Sequence, residues 1–245
     1  MERKHFLKNG LAALGLAAIA PLASACKKEA DSTDGDSSSG TETGSCTVSP
    51  TETEGPFPTK SPSTLVKSDI TGDRTGVPFT IKITVKNKNG DCSALSGALV
   101  DIWHCDKDGN YSEYGGTGMQ STNYTSVHFL RGRQTTDSNG LVTFTSIFPG
   151  WYSGRSTHIH VHIYNTAGKS LLVTQISFPE GSDSAVVAVN GSGGTSYGYT
   201  KGMSGYTYKE KDNVFSDDSA NIELSTVTGS LSGGYTLTHT INVAA

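Results

Sequence analysis

The chain has 245 residues, of which 17% are charged, with a formal net charge of -4. That length gives room for one moderately large domain or two small ones. The acidic balance and the lack of any Lys/Arg cluster argue against a nucleic-acid partner. The abundance of Gly, Ser and Thr is common in exported all-β proteins.

The N-terminus reads as an export signal. Arg3 and Lys4 precede a short, alanine-rich apolar run from Gly10 to Ala25, which closes on Ala23-Ser24-Ala25-Cys26. A signal peptide is therefore expected over residues 1–25, in preference to a spanning helix. Cys26 after small residues has the form of a bacterial lipoprotein box, with Ala23 where leucine is usual. Lipid attachment at Cys26 would hold the protein to a bacterial membrane, on its periplasmic or cell-surface face, and would be its only membrane contact. Cleavage after Ala25 by the ordinary signal peptidase is the alternative. Arg3-Lys4-His5-Phe6-Leu7-Lys8 has the form of a twin-arginine signal with one arginine replaced by lysine. Residues 26–44 carry almost nothing apolar and are expected to form a flexible tether, leaving 45–245 as the folded domain. Of the three cysteines there, Cys46 and Cys92 are the expected disulfide, tying the entry segment to a hairpin turn. Cys92 with Cys105 is the alternative pairing.

Period-two patterning dominates the folded part. Phe79, Ile81, Ile83 and Val85 alternate with polar residues, as do Ala98, Val100 and Ile102. Further runs span Leu141 to Phe148, Thr157 to Tyr164, Leu171 to Phe178, Asn221 to Thr228 and Tyr235 to Val243. Asp106 to Asn110 and Arg131 to Gly140 read as turns, Thr53 to Pro58 as a rigid entry segment, and Asn190 to Gly205 as a long surface loop. No stretch shows convincing helical periodicity. Seven or more short strands point to an all-β fold of antiparallel sheet, a sandwich (or its closed relative, a barrel) whose long loops carry the candidate site.

His158 and His160 lie two apart in one of these runs and so present two imidazoles to one side of a sheet, while Ile159, Val161 and Ile163 face the other. Imidazole is the commonest protein metal ligand, so the pair points to a metal site. Tyr152, six residues earlier on a turn, adds a phenol, and a phenolate oxygen suits a hard ion such as ferric iron. His162 extends the alternation on the same face.

These motifs sit in an ordered series: Thr53-Glu54-Gly55-Pro56, Val100-Asp101-Ile102-Trp103-His104, Gly109-x-Tyr111-Ser112, Arg131-Gly132, Thr136-Asp137-x-x-Gly140, Pro149-Gly150-x-Tyr152, Arg155 before His158-Ile159-His160, and Thr174-Gln175. From about Cys46 to Phe215 the chain resembles the intradiol ring-cleavage dioxygenases, the non-haem ferric enzymes that include protocatechuate and catechol dioxygenases. The resemblance implies one mononuclear Fe(III) held by Tyr111, Tyr152, His158 and His160. Tyr152 would correspond to the tyrosinate that yields to a catechol and takes its proton. Arg155 would stabilise negative charge on the ring, with Gln175 bonding the same region. The implied substrates are a catechol-type aromatic and O2, and the implied product is a cis,cis-muconate-type diacid. Phe57-Pro58 departs from the aromatic pair of many relatives. The five residues between Tyr152 and His158 are fewer than in the better-studied enzymes, which implies a more open pocket.

Other readings compete. A zinc hydrolase could use His158, His160 and His162, although the resemblance makes His162 a neighbour of the site and not a ligand. A non-catalytic surface sandwich could bind carbohydrate or protein. Arg155 could pair with a surface carboxylate, His104 reads as structural, Trp103 as core, and Tyr197, Tyr199, Tyr206 and Tyr208 as loop packing.

Overall fold

The computed structural model describes residues 46–245; the expected signal peptide, tether and Cys26 anchor lie outside the described residues. Among the described residues, nine strands form two facing sheets. The first contains β1 (Pro78–Asn87), β2 (Ser93–Ala94), β5 (Leu141–Ile147), β8 (Thr226–Ser230) and β9 (Gly234–Val243), in the order β2-β1-β9-β8 with β5 also on β1. The second contains β3 (Leu99–Trp103), β4 (Arg131–Thr135), β6 (His158–Tyr164) and β7 (Ser170–Ser177), in the order β4-β3-β6-β7. All pairings run antiparallel except β1 with β9, which is parallel. Parallel pairing needs a long crossover connection, and sequence pattern carries no sign of which strand such a connection returns to.

The sandwich closes because the expected alternation places one set of side chains inside. Phe79, Ile81, Ile83 and Val85 from β1 pack with Val100 and Ile102 from β3, Ile159, Val161 and Ile163 from β6, and Leu237, Ile241 and Val243 from β9. Burying such side chains is the main favourable term, at about 1.5–3 kcal/mol each before entropy. The Cys46–Cys92 disulfide forms as expected, and Cys105 is a buried free thiol.

Four expectations are corrected. Arg131 to Thr135 forms strand β4, the turn beginning only near Asp137. Its residues hide the usual pattern: Arg131 is fully buried, Arg133 pairs with Asp101, and at Gly132 any side chain would collide with Ile70. A short helix, α1 (Ala185–Asn190), is present. Its six residues are too few for a periodic signal, and Ser184 caps it by accepting from the Val187 amide. Asn190 to Gly205 is no mere surface loop: Tyr199 is buried, accepting from the Val77 amide and donating to the Phe148 carbonyl. The strand run expected over Asn221 to Thr228 shifts to β8 (Thr226–Ser230), with Asn221 to Ser225 outside it.

Candidate metal centre

His158 and His160 lie on the outer face of β6, away from the sandwich core, yet each is only 3% exposed. The cover comes from the entry segment and loops. Gly55 sits against the His160 ring with φ +68, and a Cβ there would come within 3.0 Å of the imidazole. Glycine is therefore required at that position by both conformation and contact. Trp103 from β3 stacks on His160 with ring centroids 4.9 Å apart. Phe57 stacks on Tyr111 at 4.9 Å.

Tyr111 follows the turn after β3 as expected, and its backbone is clamped by Gln120, which accepts from its amide (2.7 Å) and donates to its carbonyl (2.8 Å). Arg131 ties the neighbouring pieces together, donating to the Phe57 carbonyl and to the Ser112 carbonyl and hydroxyl. Burial lowers the Arg131 guanidinium to about 10, with Glu113 opposing.

Three polar atoms meet. Tyr111 Oη lies 3.1 Å from His158 Nε2 and 3.3 Å from His160 Nε2, and the two Nε2 atoms are 3.1 Å apart. His158 Nδ1 is 2.6 Å from the Ser156 carbonyl, an obligate acceptor, so the proton sits on Nδ1 and Nε2 presents a lone pair. Burial lowers His158 to about 3, with Arg155 adding to the effect, and lowers His160 well below the ordinary range, so both rings are neutral. His160 Nδ1 is buried without a partner. One phenolic proton cannot satisfy this triangle, and lone pairs remain aimed at a common point. Two donors each about 2.1 Å from one ion, at angles of about 90–105°, would lie about 3.0–3.3 Å apart. The donor set fits a cation. It also needs one if Tyr111 is to ionise, because burial pushes its hydroxyl well up. Among the described residues no three of His, Cys, Asp and Glu form a metal cluster, so a site here depends on tyrosine oxygen.

Tyr152 is not part of the triangle. Its hydroxyl donates to the Met119 carbonyl at 3.0 Å, while its ring lies 5.4 Å from Phe57 and 6.1 Å from Tyr111. It lines the same cavity of about 480 Å3 as Phe57, Tyr111, Met119, Arg155, His158 and His160. Ser153 and Gly154, in the short Tyr152–His158 connection, are exposed at its rim. His162 faces elsewhere: Nε2 meets the Ser170 hydroxyl, and Nδ1 meets Tyr164 Oη and the Glu54 carboxylate. A three-histidine zinc site finds no support in that arrangement. His104 is structural, its ring held by the Cys105 carbonyl and the Ser146 hydroxyl.

Arg155 does pair with a carboxylate, but a buried one. Its Nε lies 3.1 and 2.9 Å from the two oxygens of Asp212, and Nη2 donates to Gln175 Oε1 at 2.8 Å. Gln175 does not line the cavity. Its Nε2 donates to the Thr53 carbonyl, which makes it a positioning residue behind Arg155. Burial alone would raise Asp212, but hydrogen bonds from Arg155, its charge, and the Ser156 and Val214 amides hold the carboxyl below its usual range.

Sequence reasoning missed Asp212, Gln120 and Met119, and noted Phe57 only as a departure from the relatives' pattern. Only Phe57, adjoining Gly55-Pro56, carried a local signal. Met119 and Gln120 together touch both tyrosines, yet nothing around them in sequence marks them.

A family model described as Dioxygenase matches residues 49–189. Chlorocatechol 1,2-dioxygenase of Rhodococcus opacus is 30% identical over 143 residues, 50% of this chain and 51% of that protein. Catechol 1,2-dioxygenase 1 of Acinetobacter lwoffii is 27% identical over 123 residues, 43% of this chain and 37% of that protein. The chain thus spans about half or less of these curated relatives. An intradiol ring-cleavage dioxygenase from Tetranychus urticae superposes with a TM-score of 0.68 at 29% identity, covering 81% of this chain and 95% of that one. The matched family segment includes Tyr111, Tyr152, Arg155, His158, His160 and Gln175 but stops short of Asp212. The chain belongs to the intradiol ring-cleavage dioxygenase family.

Proposed function

We propose that the protein cleaves a catechol-type aromatic ring between its hydroxyl-bearing carbons using O2, giving a cis,cis-muconate-type diacid, with one ferric ion as cofactor. The observation that carries this reading is the meeting of Tyr111 Oη, His158 Nε2 and His160 Nε2 within 3.3 Å of one another at the floor of an open cavity. These three side chains would hold the ion, with Tyr152, on the wall of the same cavity, as the fourth donor. The ion would supply bidentate binding of the two catechol oxygens and activation of the ring toward O2.

The chain's own residues account for the remaining work. Tyr152, which in this structure keeps its proton on the Met119 carbonyl, would be ionised as the fourth donor and could then take a proton from a catechol hydroxyl at its Oη. Phe57 walls the space in which a ring lies flat, limiting its orientation. Arg155, fixed by Asp212 and Gln175 through Nε and Nη2, leaves Nη1 without a protein partner among the described residues and would meet with it the negative charge that develops on the ring. Export, with a lipid on Cys26, completes the proposal; the Cys46–Cys92 disulfide supports it, since such bonds persist in oxidising compartments.

Oxygen uptake by the iron-loaded protein across a panel of catechols, with product analysis, tests the assignment. Ring cleavage between the hydroxyls, together with a visible charge-transfer band and stoichiometric iron, is expected. Semialdehyde products alone, or no uptake with any catechol, would overturn it.

A further inference from the structure

Among the described residues that line the cavity, Arg155 is the one lysine or arginine, and no aspartate or glutamate lines it. That charge is opposed from inside the protein. The Asp212 carboxylate, 0% exposed, lies against Arg155 Nε and also accepts from the Ser156 and Val214 amides. Further acidic groups gather on this side: Glu52 is raised by burial and by the charges of Asp217, Asp212 and Asp218, with Arg155 opposing. No second cationic side chain on the cavity wall would then compensate a further anionic group on the ring, and a poorly compensated carboxylate entering a partly desolvated site is costly.

We propose that Asp212 is a specificity-determining residue: by neutralising Arg155 from behind, it tunes the cavity for catechols without a charged substituent and against carboxylate-bearing ones. The proposal rests on the catechol-cleaving reading. It also gives the segment beyond the matched family region a role, since Asp212 and the cavity-lining Asn213 both come from it.

The test compares catechol with 3,4-dihydroxybenzoate. Two quantities are read for each: kcat/KM by oxygen uptake, and Kd by anaerobic calorimetry on the same iron-loaded protein. Wild type should favour catechol. In Asp212→Asn, which keeps the shape and frees the charge of Arg155, the ratio of 3,4-dihydroxybenzoate to catechol should rise about tenfold in both quantities, the scale of one unit charge acting through a partly screened site. An unchanged ratio, with both substrates losing equally, would reduce Asp212 to a structural brace and overturn the proposal. So would a wild type that prefers the carboxylated ring. Should Asp212→Asn fail to fold by circular dichroism, Asn213→Lys decides: this exposed position borders the cavity, and an added cation must raise the same ratio or the charge argument falls. Absence of oxygen uptake with either ring would sink the catalytic reading, while the calorimetric ratio would still judge the role of Asp212.

Discussion

Strand β6 buries side chains on both faces over its first half, for opposite reasons. Ile159, Val161 and Ile163 are covered by the facing sheet, and their burial is the ordinary gain of removing apolar surface from water. His158 and His160 are covered by the entry segment and by loops that approach from well outside the strand, including Gly55, Phe57 and Tyr111. Burial on that face is a cost, since neutral imidazoles with directed lone pairs are kept from water. The inner face stabilises the fold, and the outer face spends stability on a preorganised site. Proteins tolerate such local conflict where function requires it.

The sharpest way to break this comparison is to truncate one residue on each face. His160→Ala should abolish stoichiometric metal and lower kcat/KM by about 1000-fold or more, the scale of losing a group that positions and activates the reactants. Ile159→Ala, its neighbour, should cost about 2–5 kcal/mol of stability and leave metal content per folded molecule unchanged. Metal analysis, oxygen uptake and denaturant melts on the two variants decide the matter; comparable metal loss in both would erase the distinction between the faces. Tyr152→Phe should lower kcat by about 100-fold through loss of the proposed proton acceptor while metal is retained. Gln175→Ala leaves Arg155 its Asp212 partner but removes the other fixed contact. About a tenfold loss in kcat/KM is expected, since a catalytic group displaced by a fraction of an ångström loses part of its effect, and Gln175→Glu should recover more activity than alanine.

The smallest expected effect concerns stability alone and contrasts two buried carboxyls. Asp212 has four hydrogen-bonding partners; Glu223 has none for either oxygen, and burial, with Glu52 and Asp218 adding to it, raises its pKa to about 8. A carboxyl whose folded pKa exceeds its unfolded value binds its proton more tightly when folded. Stability should therefore fall as pH rises from about 4.5 to about 8. Glu223→Gln should flatten that slope in thermal melts, and an unaltered slope would mean that Glu223 is already solvated.

The local pattern carried the inner face well. Strict alternation on β1, β6 and β9 foretold which side chains would meet. The two histidines were legible because a two-residue spacing on a strand fixes a shared side, and Tyr111 because a tight turn places it just past a strand end. Strand β4 was not legible, because its buried arginine, its packed glycine and its Arg133–Asp101 pair replace the apolar alternation that reveals strands. Asp212 was not legible either. It lies 57 residues from Arg155 in sequence, and a single aspartate in a polar loop carries no local sign of a distant partner.

By itself, then, the amino-acid order determined the strands with regular alternation, the shared side of His158 and His160, and the family resemblance, all of which follow from period-two geometry and from ordered short motifs. Only the tertiary structure decided the parallel return of β9 beside β1, the cover that buries the histidines, the hydroxyl of Tyr152 on Met119, and the pairing of Arg155 with Asp212. Those depend on where loops close and on which charges lose their water together, and both are properties of the folded whole.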